Sequence, residues 1–543
     1  MKTFYKHILA LLSIAIIFSC ENEDVKDFRD INSIEIEVLP ELTSGSVDFS
    51  NYVALGASFT AGYTDGALFM AAQENSFPNI LSKEFAKLGS GAFTQPLMND
   101  NIGGLAVGGN RIAQPRLVFG GAVPVPLESL IGPVTVTTDI ALNNPTGPFN
   151  NLGVPGAKSY HLLANGYGNL ANLSAGLANP YFVRMTGATP DASMLELAMA
   201  QNPTFFTLSE IGGNDVLGYA TSGGDGSSSI TATATFDFAF STLVTTLTSG
   251  GAKGAVTNVP YITDLPHFTT VPYAPLSPAN PNFGPQIPTL NGIFGQLNQV
   301  FAFLGAPERS IVFSQTAASP VVINDESLVN LSAQITGVLM ASPTFPAFVQ
   351  SFGLPAQAAP LVAGLFGSTY GQARQATADD LLLLPSSSVI GTVNTSSVTF
   401  LMQQGLSQTL AGQFSVEGVS LPLADKWVLL PSEQAEIKNA TDAYNATIAN
   451  IAASNGLALV DLNTILTQAT TTGLQSGNFT FTTDLVTGGL VGLDGIHLTA
   501  RGYAVMANEF LKAIDATYSS NFEASGNVAK AGDYPTNYSP TLQ

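Results

Sequence analysis

Ser58 stands in Tyr52-Val53-Ala54-Leu55-Gly56-Ala57-Ser58-Phe59-Thr60-Ala61-Gly62. Val53 to Leu55 read as an apolar strand, and Gly56 and Gly62 bracket the serine. A serine at the end of a buried parallel strand, just before a helix, presents its hydroxyl to a ligand. Small neighbours let a substrate carbonyl approach the backbone. Such a nucleophile needs a base and donors for developing negative charge. Past the N-terminal segment the histidines are His161, His267 and His497. His161 sits in a helix-like run and His267 follows Pro266 in a loop, and both read as structural. His497 lies in Leu493-Asp494-Gly495-Ile496-His497-Leu498-Thr499, with a carboxylate three residues earlier in a glycine-containing turn. Asp494 can orient one ring nitrogen while the other faces Ser58. Scattered histidines and a single cysteine offer no metal-ligand spacing, so neither metal nor cofactor is expected.

These residues need elements to hold them. Residues 204–208, 254–259 and 457–461 are further buried-strand candidates, and the first ends in Gly212-Gly213-Asn214-Asp215. Asp215 reads as a loop-holding residue. Val154-Pro155-Gly156-Ala157 is another glycine-bearing turn after a short strand. Helical patterns cover 76–87, with Ser76 as N-cap and Pro78 in the first turn, and also 432–453 and 500–516. Strands alternating with helices predict a parallel sheet covered on both faces. Residues 91–150 read as long loops and 311–323 as strand-like. Residues 327–373 carry no charged side chain but hold Pro343, Pro346, Pro355 and Pro360, which break a single membrane helix. They also hold Phe345, Phe348, Phe352, Leu361, Val362, Leu365 and Phe366, and part of this stretch is expected to border the Ser58 cleft as an apolar wall.

Apolar residues make up 45% of the 543 and charged residues 10%, with a net charge of −21. That balance argues against nucleic acid or an anionic membrane surface as an electrostatic partner. The first residues carry Lys2 and Lys6, then an apolar run too short to span a bilayer. Ile17-Phe18-Ser19-Cys20 resembles a bacterial lipobox, and Cys20 is the only cysteine, so no disulfide can form. The expectation is a signal peptide over 1–19 and lipidation at Cys20, which anchors the chain without a membrane helix. The acidic stretch that follows resembles the surface-export signals of Bacteroidetes lipoproteins. A bacterial envelope protein held at the outer membrane is the address this implies, with the periplasmic and external faces both open.

The glycine-bearing blocks occur together in one order. Gly56-Ala57-Ser58-Phe59-Thr60-Ala61-Gly62, Gly156, Gly212-Gly213-Asn214-Asp215 and Asp494-Gly495-Ile496-His497 resemble the four blocks of the SGNH hydrolases, also called GDSL esterases and lipases. The resemblance spans Tyr52 to about Ala516. It implies a flavodoxin-like three-layer α/β/α sandwich with a parallel sheet. It also implies Ser58 as nucleophile, His497 as base with Asp494 as its partner, and an oxyanion hole from Ser58 N–H, Gly156 N–H and the Asn214 amide. The family usually carries Asp where this chain has Ala57. The expected layout is a signal peptide over 1–19, an acidic tether over 20–49, and a hydrolase core over 50–269 and 426–517. A large, mainly helical insertion fills 270–425, and a tail covers 518–543. The expected activity is hydrolysis of carboxylic esters through an acyl-enzyme. The alternatives are a carbohydrate O-acetyl esterase and a non-catalytic surface-binding lipoprotein.

Overall fold

The computed structural model describes residues 39–542. Cys20, the signal segment 1–19 and the tether as far as residue 38 lie outside the described residues. Five strands form one parallel sheet: β1 Tyr52–Gly56, β2 Asn151–Gly153, β3 Phe205–Ser209, β4 Lys253–Thr257 and β5 Ala458–Val460. Their spatial order is β2-β1-β3-β4-β5, with every neighbouring pair parallel. The helices that matter for the site are α1 Ser58–Ala61, α2 Phe77–Ala86, α3 Gly213–Thr221, α4 Thr233–Thr248, α5 Pro431–Asn455, α6 Leu462–Thr471 and α7 Ala500–Tyr518.

β1, β2 and β3 are buried at every residue because both faces of the sheet are covered. Val53, Leu55, Phe206, Leu208 and Val256 point into one cluster, filled by Phe236, Phe240 and Leu243 of α4 and Ile437, Tyr444 and Ile448 of α5. Tyr52, Ala54, Phe205 and Ala255 point the other way, against Phe77 and Leu81 of α2 and Tyr503, Phe510 and Ile514 of α7. Each such aliphatic or aromatic side chain contributes about 1.5–3 kcal/mol by leaving water.

Between β4 and β5 the chain builds a second core. It runs from Val271 to Leu430 and includes Phe294, Phe301, Phe313, Phe345, Phe366 and Tyr370. Its helices include Ile287–Phe303, Ser332–Ala341 and Ala359–Tyr370. Among the described residues no helix is long and apolar enough to cross a membrane.

Several local expectations change. Of 311–323, only the last two residues enter a strand, Val322–Asn324, paired antiparallel with Ala373–Gln375. Upstream, Ser314 Oγ accepts the Thr316 and Ala317 N–H groups and closes a turn. The loops of 91–150 contain two small antiparallel pairs, Leu105–Val107 with Asn110–Ala113 and Leu117–Phe119 with Pro124–Pro126. Ser76 leaves its helix uncapped and bonds Gln95 instead. The tether ends earlier than expected: Val47 and Phe49 are buried, and Phe49 stacks on Phe85 of α2 at 4.2 Å. The tail is tied down as well, with Phe522 buried and the Arg116 guanidinium donating to Ser539 O at 2.6 Å.

Candidate active site

The carboxyl ends of β1, β2 and β3 lie side by side where β1 meets a neighbour on each side. In open parallel sheets the crevice outside such a switch point is where ligands bind. β1 ends at Gly56, and Ala57 leads directly into α1, which starts with Ser58. Room is scarce there. A Cβ on Gly153 would sit 2.3 Å from Ala61 N, so only glycine lets β2 lie against α1.

Ala57 has no side chain to cap this short helix. The cap comes from Glu210, just beyond the end of β3. One of its carboxylate oxygens accepts the N–H of Ala57 at 2.6 Å and of Thr60 at 3.1 Å, and the other accepts the N–H of Phe59 at 2.8 Å. Glu210 itself adopts φ +55°, a left-handed backbone that side chains other than glycine rarely take. Its N–H donates to Thr257 Oγ1 at 2.8 Å. Burial pushes its carboxyl up to about 7, against the pull of the N–H donors.

His497 and Asp494 meet as their spacing suggests. His497 Nδ1 lies 2.9 Å from Asp494 Oδ2. Asp494 Oδ1 accepts the N–H groups of Ile496 and His497, both at 2.9 Å, and Oδ2 also accepts Gly66 N–H at 2.8 Å. Burial works against the Asp494 charge, but His497 and these N–H groups outweigh it and hold its pKa at about 2. An ionised Asp494 keeps the proton on Nδ1 and leaves Nε2 as the acceptor a base needs. The imidazole packs against Tyr63 and Phe59, with ring centroids at 4.6 and 5.8 Å. Tyr63 N–H in turn donates to Ser58 O at 2.9 Å. No hydrogen bond joins Ser58 Oγ to His497 among the described residues. Such contacts commonly close only when substrate arrives.

The proposed oxyanion donors come from the neighbouring strand ends. Gly156 follows β2 in a turn with φ +79°. That turn is braced by Asn179, whose amide donates to Pro155 O at 2.8 Å. Asn214, in the first turn of α3, donates one amide N–H to Ala157 O at 2.9 Å and keeps a second. Asp215 ties the two turns together by accepting Ser159 N–H and Oγ–H at 2.9 and 2.7 Å, the loop-holding part expected of it.

Ser58, Asn214 and Glu210 line one apolar pocket, with a cavity volume of about 100 Å³. Its walls are aliphatic: Leu217, Ile262, Leu265, Leu466, Leu490 and Met506 among others. None of Phe345, Phe348 and Phe352 reaches it. They stack on one another inside the second region, so the expected apolar wall from 327–373 is wrong. Phe345, Val349, Val362 and Phe366 of that segment are buried within its own core instead, while Val329 and Met340 stay exposed.

Among the described residues, neither His161 nor His267 hydrogen-bonds a carboxylate through its ring, although the Asp494 charge acts on His267. His161 Nδ1 accepts Lys158 N–H at 3.0 Å, its ring stacks on Tyr167, and burial with Lys158 nearby lowers its pKa to about 4. His267 is buried beside the His497 loop, its backbone N–H donating to Gly495 O at 3.0 Å. It borders a cavity of about 1190 Å³ between the sheet region and the second core. Asp65 is a further buried carboxylate missed in the sequence. It accepts Leu493 N–H at 2.8 Å and so steadies the His497 loop, and burial pushes it up to about 7. Among the described residues, Glu326, Asp425 and Glu433 could gather a cation, with ligand oxygens within 4.8 Å of one another, but none lines the Ser58 pocket. No protein-family model, curated protein or solved structure matches this chain.

Proposed function

We propose that this chain is a carboxylic-ester hydrolase of the SGNH type, on a flavodoxin-like α/β/α sandwich with residues 270–425 inserted. The observation that carries this reading is the His497–Asp494 pair, on a loop that helps wall the Ser58 pocket. Ser58 Oγ attacks the ester carbonyl while His497 Nε2 takes its proton. Asp494 stabilises the imidazolium. The oxyanion of the tetrahedral intermediate is held by Ser58 N–H, Gly156 N–H and the free Asn214 amide N–H, each donor contributing about 3–4 kcal/mol in related chemistry. The imidazolium returns its proton to the leaving alkoxide, giving the alcohol and an acyl-Ser58. Water, deprotonated by His497, then releases the acid and restores the serine.

The aliphatic lining favours an acyl chain over a sugar, which would call for more polar and aromatic walls. A chain-length series of nitrophenyl esters beside acetylated xylan tests this. Wild type should prefer the acyl esters, and preference for xylan would favour the acetyl-esterase alternative. Covalent labelling by a fluorophosphonate at Ser58 tests the nucleophile, and labelling at another serine would refute it. Lipidation at Cys20 remains part of the proposal, with anchoring at the outer membrane. Cys20→Ser should release the protein from membrane fractions.

A further inference from the structure

We propose that Glu210 is the positioning residue of the Ser58 turn, supplying from β3 the cap that Ala57 cannot give. This rests on the reading of Ser58 as nucleophile. A helix N-cap side chain normally accepts the second or third N–H of its helix. Here the N-cap is Ala57, and those two N–H groups belong to Phe59 and Thr60. Glu210 accepts both, and the Ala57 N–H besides. Of the four N–H groups from Ala57 to Thr60, it passes over that of Ser58 alone. The carboxylate thus fixes the backbone on both sides of the serine and leaves out the one N–H that would face an oxyanion.

Glu210 is itself held for this purpose. Its N–H is bound to Thr257 on β4, and its C=O accepts Gly213 N–H at 3.0 Å. Its left-handed backbone sends the side chain back across the end of the sheet towards β1. The residue is buried and borders the Ser58 pocket, yet the acyl transfer needs no proton from it. Two turns are coupled in this way. The segment that carries Asn214 also carries the cap for Ser58, so a shift of one donor moves the nucleophile with it.

Glu210→Gln keeps the volume but turns an N–H donor towards N–H groups. It should lower kcat per folded molecule by about a hundredfold, the cost of a misplacement of about 1 Å, with KM within about threefold and the protein still folded at the assay temperature. Glu210→Ala should lose at least as much. Ala57→Asp added to Glu210→Ala should recover part of kcat, since an N-cap Asp can reach the Phe59 and Thr60 N–H groups. Hydrogen exchange reads the turn without catalysis: the Ala57, Phe59 and Thr60 amides should exchange faster in Glu210→Gln, while the β3 and β4 amides stay protected. If wild type turns over no ester but these amides respond, the nucleophile reading fails and the cap stands. Unchanged kcat and exchange in Glu210→Gln would overturn the inference. Global melting in both variants without rescue by Ala57→Asp would overturn it too, reducing Glu210 to a packing residue.

Discussion

In the second core, Arg374 lies between two carboxylates. Its Nε meets Asp325 at 2.6 Å, and its two terminal nitrogens grip Asp380, each at 2.7 Å. Burial opposes the Asp380 charge, but Arg374 and Thr377 overcome it and hold its pKa below the ordinary value. Beside the sheet, Glu210 and Asp65 are as deeply buried but rest mainly on N–H groups, and their carboxyls rise to about 7. A guanidinium offsets the loss of water around a carboxylate, while neutral donors offset only part of it. One region uses its buried charge for stability. The other gathers Glu210, Asp65 and Asp494 near Ser58 and His497, where they accept backbone N–H groups, and the proposed chemistry gives that concentration a use.

The largest effect should separate the two regions outright. Asp494→Asn should lower kcat per folded molecule by about 10⁴, because an amide no longer fixes the Nδ1–H tautomer, a loss far beyond the stability that goes with the Asp494 charge. Ser58→Ala and His497→Ala should each lose at least as much, and combining them should add little, since in the proposed mechanism all three serve one step. Steady-state kinetics with a nitrophenyl ester checks this. If His161→Ala or His267→Ala stops turnover while His497→Ala does not, the wrong histidine has been assigned.

The reverse pattern belongs to the second core. Asp380→Asn breaks a buried pair and should cost about 3 kcal/mol of stability, with kcat per folded molecule unchanged. Denaturant unfolding beside the ester assay measures both. A loss of kcat without a loss of stability would mean that the second core takes part in the chemistry and that the two regions do not divide the work.

Position in the chain explains which of these residues could be read in advance. Asp494 and His497 are three apart, so spacing alone paired them, and the apolar run before Ser58 announced a buried strand. Glu210 and Asp65 act across 153 and 428 residues, a reach that local spacing does not record. Ala57 stood out only as a departure from the family's usual Asp, and neither the missing cap nor its replacement could be read from it. The apolar stretch 327–373 had to be buried, and apolarity does not name the surface that buries it. Phe345 finds Phe348 and Phe366, not Ser58. Val47 and Phe49 failed as tether for a similar reason: two apolar residues after an acidic run were enough to join the sheet's cover.

The pH dependence of stability sharpens the contrast further. Glu210 and Asp65 have folded-state values near 7, above the ordinary 4.5 and 3.8. Over that window the folded protein holds protons that the unfolded chain has released. Their contribution is therefore whole below the ordinary values and lost as pH rises through about 7. Asp425 and Glu433, raised to about 7 and 8 by burial and by Glu326, add to the same slope. Asp494 runs the other way: held at about 2, its contribution is present above its ordinary 3.8 and lost as pH falls through about 2. Melting temperature should fall between about pH 5 and about pH 8, and Asp65→Asn should flatten that fall by an amount of order 2 kcal/mol. Asp380→Asn should lower the whole curve without flattening it. A melting temperature that rises over this range would mean that Glu210 and Asp65 do not carry protons in the folded protein near neutral pH.

The smallest effect concerns selectivity, where two apolar linings compete for one role. Leu217 sits one helical turn beyond Asn214 and lines the Ser58 pocket, whereas Phe345 packs in the second core. Leu217→Phe should shorten the space for an acyl chain. The preference for longer over acetyl esters should fall by about tenfold, the scale at which a methylene or two is told apart in an apolar pocket. Phe345→Ala leaves a cavity in a different core and should cost about 3–5 kcal/mol of stability with the chain-length preference intact. Assaying the nitrophenyl series on both variants, below the lower melting temperature, sets them side by side. A change of preference in Phe345→Ala and none in Leu217→Phe would return the acyl wall to the second core and leave the aliphatic pocket as ordinary packing.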